Sequence, residues 1–555
     1  MKVNVIQIGF SFSQAIMLSI GGLALFTYIG YFFGLIPNYR YIGLLFVLIA
    51  GIVTFSALLQ IEKKLLKAFL NTLGLLSLLL IFVFLFGSLV ETFPDGMTAH
   101  LEGVALMREG WNPVLDVGYQ GMPHAVASAT QDNYLRLVAG RSSYIFFCIL
   151  SGIFDVNEGG RSLALIVAII IWFYFINTFT TDIKQKAIFL LGVYGNPIVI
   201  GFLYSHYLDH ILFLFTILFV LVLHRSFLNQ KLADLLVLFV VSWALVGTKA
   251  SGLTILFSIV AAYAILSLVY ANFFIPNKQL NINDRIFLLA LPLLAGSLGA
   301  ASPYAMNLFL YGDPFVFFRQ YGGVSEAINI VWGPQVNWFN ETGAFKRLFQ
   351  SVFSEMAGNP DKVPNYKLPI QITKQELIHI FKLNSDSRIG AFGPLFGASV
   401  LIATPLAIFC ILKDRKLNIS ILCAFVLLAI TLQNPYAFWA RFVPFLWLFP
   451  LLITVGSWSL RRILFIRWLC YAVVAVMTLN TLIYFSIFNA GYLRAQSIIT
   501  TQIAALSTIN APKIYFANYV SYELLLSERG VNFIKVGKCN KILFRIHRSG
   551  VDVCK

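Results

Sequence analysis

Long runs of apolar residues, separated by short polar stretches, follow one another along the chain to about residue 487. A transmembrane helix needs about 20 mainly apolar residues. Runs that reach or approach this length occur thirteen times, and each predicts a membrane-spanning helix. They are 10–34, 41–60, 66–90, 161–181, 187–203, 208–228, 232–246, 250–273, 286–309, 391–412, 418–432, 438–458 and 463–487. The pattern predicts an all-α polytopic membrane protein with about 13 transmembrane helices.

A further apolar run, 142–154, is too short to cross a bilayer and predicts an interfacial or re-entrant helix. The charges support this interpretation. With the N-terminus in the cytoplasm, the short outer connections carry only Arg40 and Lys249, and Arg441 lies just inside a span. The inner loops carry Lys63, Lys64, Lys67, Lys184, Lys186, Arg225, Lys231, Lys278, Arg285, Lys413, Arg415, Lys416, Arg461, Arg462 and Arg467. This asymmetry follows the positive-inside rule and predicts a cytoplasmic N-terminus and an extracytoplasmic C-terminus.

The predicted spans divide the chain into six regions. They are the N-terminal helices (1–90), a first outer loop with interfacial helices (91–160), a transmembrane core (161–309), a second outer loop (310–390), the C-terminal helices (391–487) and an outer tail (488–555). In the tail, 513–516 and 531–536 are typical of short strands, and 522–529 of a helix. A small α/β unit is expected there. The first apolar run is long enough to remain as a span, so no cleavable signal peptide is expected.

Composition narrows the class of protein. Hydrophobic residues make up 59% of the 555 positions and charged residues only 12%, which excludes soluble, disordered and collagen-like chains. The net charge of +16 is accounted for largely by the inner loops, so no nucleic-acid partner is expected. The short cytoplasmic loops and the lack of an organelle signal favour a bacterial inner membrane.

Cofactor motifs are missing from the sequence. It contains no CxxC, HExxH, Walker A or Rossmann glycine pattern, and no motif supports a divalent metal ion. Cys539 and Cys554 both lie in the outer tail, where an oxidising compartment permits a disulfide. Spacing alone leaves their pairing open.

Polar residues in the first outer loop are the first candidates for chemistry. Asp95 stands between Pro94 and Gly96, and His100 and Glu102 follow. Asp95 has two readings: it caps a helix, for which Asp is well suited, or it acts as a general base on a hydroxyl nucleophile.

A second group of polar residues lies between two spans and includes His206 and Asp209. It forms either a solvated rim or part of a site. Lys249 and Arg441 are cations on the side where cations are scarce, and either one alone is explained by snorkelling to the headgroups. Together they indicate capture of a phosphate or diphosphate, to which Arg319 in the second loop would add.

In their order along the chain and in the side of the membrane predicted for them, these residues resemble the GT-C membrane glycosyltransferases. The resemblance is to the protein mannosyltransferase and aminoarabinose transferase type. The resemblance covers about 90–445. The matching segments are Asp95 to Gly110 with His100, Arg161, Asn196-Pro197 with Asp209, Lys249 to Gly252, Ser302 to Phe315, and Arg441 to Pro444. Two spans precede the one that leads to Asp95, where many relatives have one. No Asp-x-Asp or Asp-x-Glu pair is present, which puts the metal of some members in doubt.

The resemblance implies an inverting sugar transfer from a polyprenyl-phosphate donor to a lipid, glycan or protein acceptor. Asp95 would deprotonate or orient the acceptor hydroxyl, and Asp209 would be the second catalytic carboxylate. Lys249, Arg441 and Arg319 would bind the donor phosphate. His100, Glu102, His206 and Trp332 would position acceptor or sugar, although Trp332 equally fits an interface anchor.

Two alternatives remain at this point. A transporter or flippase of a lipid-linked sugar would share the binding of phosphate by cations, but transporters place polar groups near the midplane. Here the polar residues crowd the outer ends of the predicted spans, which favours transfer. A polymerase or ligase of surface polysaccharide would share much of the architecture.

Overall fold

The structure is a computed structural model. It describes residues 2–93, 96–114, 142–179, 183–249, 251–269, 281–305, 308, 312–313, 343–358, 365–383, 387, 389–413, 419–433, 437–516, 520–549 and 551–555. The chain forms two compact units. The first unit comprises Met1–Thr180, Tyr204–Phe317 and Ala495–Lys555. The second comprises Thr181–Leu203 and Phe318–Arg494.

Helices dominate both units. In chain order they are α1 Lys2–Phe32, α2 Tyr39–Glu62, α3 Leu65–Ser88, α4 Glu102–Arg108, α5 Ser142–Phe154, α6 Ser162–Thr178, α7 Ile183–Val193, α8 Pro197–Phe202, α9 Leu208–Asn229, α10 Leu232–Thr248, α11 Ser251–Val269, α12 Ile282–Ala300, α13 Ala344–Val352, α14 Lys374–Phe381, α15 Phe396–Lys413, α16 Ile419–Gln433, α17 Leu448–Ser457, α18 Leu464–Ser507 and α19 Val520–Glu528. Short π-helical turns follow α3 and α12, and short 3₁₀ turns precede α6 and flank α17.

Eight helices of the described residues are long and apolar enough to cross a membrane, so the chain is an integral membrane protein. They are Val5–Phe32, Tyr39–Glu62, Leu65–Ser88, Asn157–Thr178, Leu208–Asn229, Ile282–Ala300, Phe396–Lys413 and Leu464–Ser507. Four other predicted spans correspond to shorter apolar helices, Leu232–Thr248, Ser251–Ser267, Ser420–Leu432 and Pro444–Leu460. The predicted class of fold is confirmed, whereas the predicted number of about 13 spans exceeds the eight helices of sufficient length.

The predicted span 187–203 is wrong as a continuous helix, because it is interrupted between α7 and α8. Pro197 cannot donate a backbone hydrogen bond to a helix that continues through it, and it occupies the first turn of α8 instead. Asn196 has an extended backbone and caps α8 by accepting a hydrogen bond from Ile198 N at 3.0 Å. Its Nδ2 donates to Pro444 O at 3.1 Å, which ties this break to the turn before α17 in the same unit.

The run 142–154 forms α5, with the predicted ends. The helix is buried from Ser142 to Gly152, and it packs against α1, α2, α3, α4, α6 and α10 of the first unit. A Cβ on Gly152 would lie 2.0 Å from Tyr39 O, so only glycine permits the close approach to α2. A helix enclosed by protein fits the re-entrant alternative better than the interfacial one, which leaves one face to lipid.

The charge pattern predicts Arg225 in an inner loop, but the residue lies inside α9 and is buried. Its Nε is 3.0 Å from both carboxylate oxygens of Asp234, at the start of α10. Gln14 of α1 donates to the same carboxylate at 2.8 Å, and the guanidinium lies 4.2 Å from the ring centre of Phe10. Arg225 therefore joins α1, α9 and α10 as a buried ion pair, and is not a solvated loop charge.

The tail folds as a small α/β unit, as predicted. α18 continues past the predicted last span to Ser507 and leads into the strands β1 Lys513–Tyr515, β2 Ile534–Lys535, β3 Ile542–Arg545 and β4 Asp552–Cys554. The sheet order is β2-β1-β4-β3, with β1 parallel to β2 and β4 antiparallel to both β1 and β3. β1, β2 and α19 were predicted; β3 and β4 were not. The structure pairs Cys539 with Cys554 in a disulfide, which resolves the alternative that spacing left open.

Candidate functional site

Polar residues of the first unit collect at one common end of its apolar helices. α3 ends there at Ser88, the turn Asn157–Arg161 leads into α6, α9 begins at Leu208 and α10 ends at Thr248. The polar cluster, as we name it, consists of Glu91, His100, Glu102, Glu158, Arg161, His206, Asp209 and Lys249. Every residue of the polar cluster except Lys249 is at least nine-tenths buried.

Arg161 connects three chain segments in the polar cluster. The residue is fully buried, and its Nη2 donates to Phe86 O at 2.9 Å and to Leu89 O at 2.8 Å. Its Nη1 donates to Tyr204 O at 2.8 Å, and Nη2 lies 3.2 Å from Glu158 Oε2. The planar guanidinium therefore satisfies the last carbonyls of α3 and holds the segment before α9 beside them.

Glu91 belongs to the polar cluster, although it is absent from the site residues that the sequence predicts. Its Oε1 accepts hydrogen bonds from Thr92 N and Phe93 N, each at 3.1 Å. Its Oε2 accepts from His206 N at 2.9 Å and lies 3.3 Å from His206 Nδ1. Burial raises the pKa of Glu91, while the charge of Arg161 and the hydrogen bonds from the two backbone amides at His206 and Phe93 oppose this rise.

Gly96 packs directly on the carboxyl group of Glu91. A Cβ there would lie 2.7 Å from Glu91 Cδ and 2.8 Å from Ser205 Oγ, so a side chain is excluded. A π-helical turn, Gly96–Leu101, begins at this contact. Such turns are rare and are frequent at functional sites. The first loop is therefore held tightly against the segment that carries His206.

Two of the predicted site residues, His100 and His206, lie in the polar cluster. His100 Nδ1 is 2.8 Å from Tyr144 Oη, and its ring centre is 5.6 Å from that of Tyr207. His206 is fully buried, and burial lowers its pKa to about 3, so the ring is neutral at physiological pH. Its Nε2 has no hydrogen-bond partner among the described residues.

Asp209 and Lys249, which the sequence offered as separate candidates, form an ion pair. Lys249 Nζ is 2.5 Å from Asp209 Oδ1, with 15% and 6% of the two side chains exposed. Asp209 lies in the first turn of α9, and Lys249 follows the last turn of α10. Each charge therefore has the sign that the adjacent helix dipole favours. The pair places a cation and a carboxylate together at the edge of an apolar helix bundle.

Glu102 lies at the start of α4 and is buried.

Arg441 belongs to the second unit, in the turn Ala440–Phe442. Its guanidinium is 4.0 Å from the ring centre of Trp439 and 5.1 Å from that of Phe442, with 8% of the residue exposed. This aromatic packing argues against the snorkelling interpretation, which requires a solvated head group.

Three predicted site residues, Asp95, Arg319 and Trp332, lie outside the described residues. Within the described part of the chain, no three His, Cys, Asp or Glu side chains are grouped so that they can hold a metal ion. Comparison of the chain with protein-family models, curated proteins and solved structures finds no match.

A titratable contact joins the tail to the edge of the polar cluster. Glu528 of α19 accepts a hydrogen bond from Asn157 N at 3.2 Å, and its Oε1 lies 3.7 Å from Arg108 Nη1. Burial raises the pKa of Glu528 to about 7; the charge of Arg108 and the bond from Asn157 lower it, and the charge of Glu158 raises it further. Glu528 therefore takes up a proton on folding between pH 4.5 and about 7.

We expect the attachment of the tail to weaken as the pH rises through this window. The pKa of Glu528 is higher in the folded protein than in the unfolded chain. Its contribution to the free energy of unfolding is therefore complete below about pH 4.5 and is lost as the pH passes about 7. The upper limit of this contribution is about 3 kcal/mol. Melting temperatures of the purified protein between pH 4.5 and pH 8 measure it. Glu528→Gln should flatten the pH dependence; an unchanged slope in this variant would assign the effect to another group.

Proposed function

We propose that the chain is an inverting glycosyltransferase that uses a polyprenyl-phosphate sugar as donor. The observation that carries this proposal is the Lys249–Asp209 pair, 2.5 Å apart, in a buried polar cluster at the common end of apolar helices. A lipid-linked phosphate needs a cation beside apolar surface, and a hydroxyl nucleophile needs nearby carboxylates. The acceptor is a lipid, a glycan or a protein.

The proposed reaction is a single displacement at the anomeric carbon of the donor. Asp95 takes the proton of the acceptor hydroxyl. The oxygen of that hydroxyl then forms a bond to the anomeric carbon. The bond from that carbon to the phosphate oxygen breaks, and polyprenyl phosphate leaves with the electron pair. Attack from the face opposite to the leaving group inverts the configuration.

Cations stabilise the leaving phosphate in this proposal. Lys249 is held 2.5 Å from Asp209, so the donor phosphate would take over part of the contact that Asp209 makes. Arg441 and Arg319 are further candidates for the donor phosphate on the family resemblance of the sequence alone.

Sugar hydroxyls are oriented by the polar side chains around Glu91. His206 is neutral and can accept a hydrogen bond, while His100 and Glu102 offer further donors and acceptors. From the sequence alone, Trp332 is a further candidate for stacking on the pyranose. The apolar surfaces of the helices accommodate the lipid tail of the donor within the bilayer.

We place the reaction at the extracytoplasmic face of a bacterial inner membrane, with the N-terminus in the cytoplasm. The support is the excess of Lys and Arg in the predicted inner loops. A transporter of the same lipid is less consistent with the polar cluster, because transporters bind near the midplane on broken helices.

Mass spectrometry of envelope glycans and glycolipids, in cells with and without the protein, tests this function. We expect one sugar to disappear from an acceptor and its polyprenyl-phosphate donor to accumulate at the outer leaflet. Accumulation of the donor at the inner leaflet would indicate a transporter. Unchanged glycans and glycolipids would rule out the proposed transfer.

A further inference from the structure

The C-terminal module, residues Ala495–Lys555, packs on the first outer loop within the first unit. Val90, directly before that loop, and Met97, within it, belong to one buried apolar cluster with side chains from the module. These are Ile499, Ile503, Leu506, Ile514, Phe516, Tyr522, Leu525, Leu526, Val531, Ile546, Val551 and Val553. The module and the chain around Val90 and Met97 therefore share one buried apolar core.

Gln496 makes the most specific contact between the C-terminal module and the loop. Its Oε1 accepts a hydrogen bond from Val90 N at 2.9 Å, and its Nε2 donates to Val90 O at 2.6 Å. One side-chain amide thus satisfies both polar groups of one residue, as a neighbouring strand would. Gln496 is 8% exposed, so loss of this side chain leaves two buried backbone groups unsatisfied.

Two arginines of the C-terminal module bind the backbone on either side of Val90. Arg529 Nη2 donates to Ser88 O at 2.8 Å, and Arg548 Nε donates to Thr92 O at 3.2 Å. The module therefore binds the backbone on both sides of Glu91, at residues 88, 90 and 92. These contacts engage only backbone atoms, while the carboxylate of Glu91 accepts its hydrogen bond from His206 N.

We propose that the C-terminal module is a positioning element of the site, with Gln496 as the residue that fixes Glu91 through the backbone of Val90. This inference rests on the proposed glycosyl transfer. Glu91 in turn holds Thr92 N, Phe93 N and the segment of His206, so displacement of Val90 would loosen both sides of the polar cluster. The small tail is thus part of the catalytic machinery, although it contributes no reacting group.

The test compares Gln496→Ala with Gln502→Ala in the full-length protein. Gln502 is on the same helix and makes the same kind of amide contact, but with the backbone of Arg545 and His547 inside the C-terminal module. We expect hydrogen exchange in the peptide around Val90 to accelerate in Gln496→Ala only. We also expect kcat for transfer to fall by about 100-fold in that variant, with KM for the donor unchanged.

Each outcome decides a separate point. Unchanged exchange around Val90 in Gln496→Ala would overturn the contact as a clamp. Faster exchange with an unchanged kcat would overturn the positioning role, and so would an equal loss of kcat in Gln502→Ala. Absence of transfer by the wild-type protein would overturn the proposed function and the positioning role, while the exchange result would still report whether the clamp exists.

Discussion

Asp95→Asn is expected to reduce sugar transfer by about 100- to 10,000-fold, the range for loss of a general base. The amide keeps the size of the side chain and its ability to cap a helix, but it does not take up a proton. The variant should therefore insert into the membrane and melt as the wild-type protein does. Transfer is measured with purified protein in lipid discs and a polyprenyl-phosphate sugar.

A matched control for Asp95→Asn is Glu109→Gln, because Glu109 is an exposed carboxylate of the same loop. It should transfer at the wild-type rate. The two readings of Asp95 give different results: a helix cap tolerates Asn, whereas a base does not. Transfer that persists in Asp95→Asn would leave Asp95 as a cap and remove it from the reaction.

The fold was predictable where a local pattern decides the structure. Apolar runs gave the positions of the long helices, and the bounds of α5 were predicted because polar residues flank a short apolar run. The predicted fifth span failed at Asn196-Pro197, where a local rule about proline outweighs hydropathy. β3 and β4 have four and three residues and are no shorter than the predicted β1 and β2, so length does not explain why the sequence pattern missed them.

The candidate site was predictable as a set of residues, but not as a set of contacts. Asp209 and Lys249 were recognised singly, because charges at the end of an apolar run are costly. Their pairing depends on how α9 and α10 pack, over a separation of 40 residues. Glu91 was overlooked because a carboxylate just after a span is ordinarily solvated. Its partner His206 is 115 residues away, so only the fold shows that it is buried.

Arg225 illustrates the opposite error. The positive-inside rule counts a basic residue near the end of a span as a loop charge. Asp234, nine residues later, forms a buried ion pair with Arg225 across the α9–α10 turn. An acidic residue close to a basic one at the boundary of two spans was the available signal. A basic residue that has an acidic residue close to it at the boundary of two spans should therefore count less in a topology prediction.

The Lys249–Asp209 pair gives the second large expected effect, because stability and transfer should separate in a double-mutant cycle. Lys249→Met or Asp209→Asn alone leaves one buried charge without its counter-ion, which costs about 3–5 kcal/mol. The double variant removes both charges and should recover most of the loss in the free energy of unfolding. Thermal melting of the four proteins in the cycle measures this coupling.

Transfer should not recover in the double variant, because the donor phosphate still lacks its cation. Lys249→Arg is the matched control, since it keeps the charge and should retain part of both stability and transfer. Recovery of transfer together with stability in the double variant would show that the pair only supports the fold. Stable protein without transfer, and with weaker binding of a polyprenyl phosphate, would assign Lys249 to the donor phosphate.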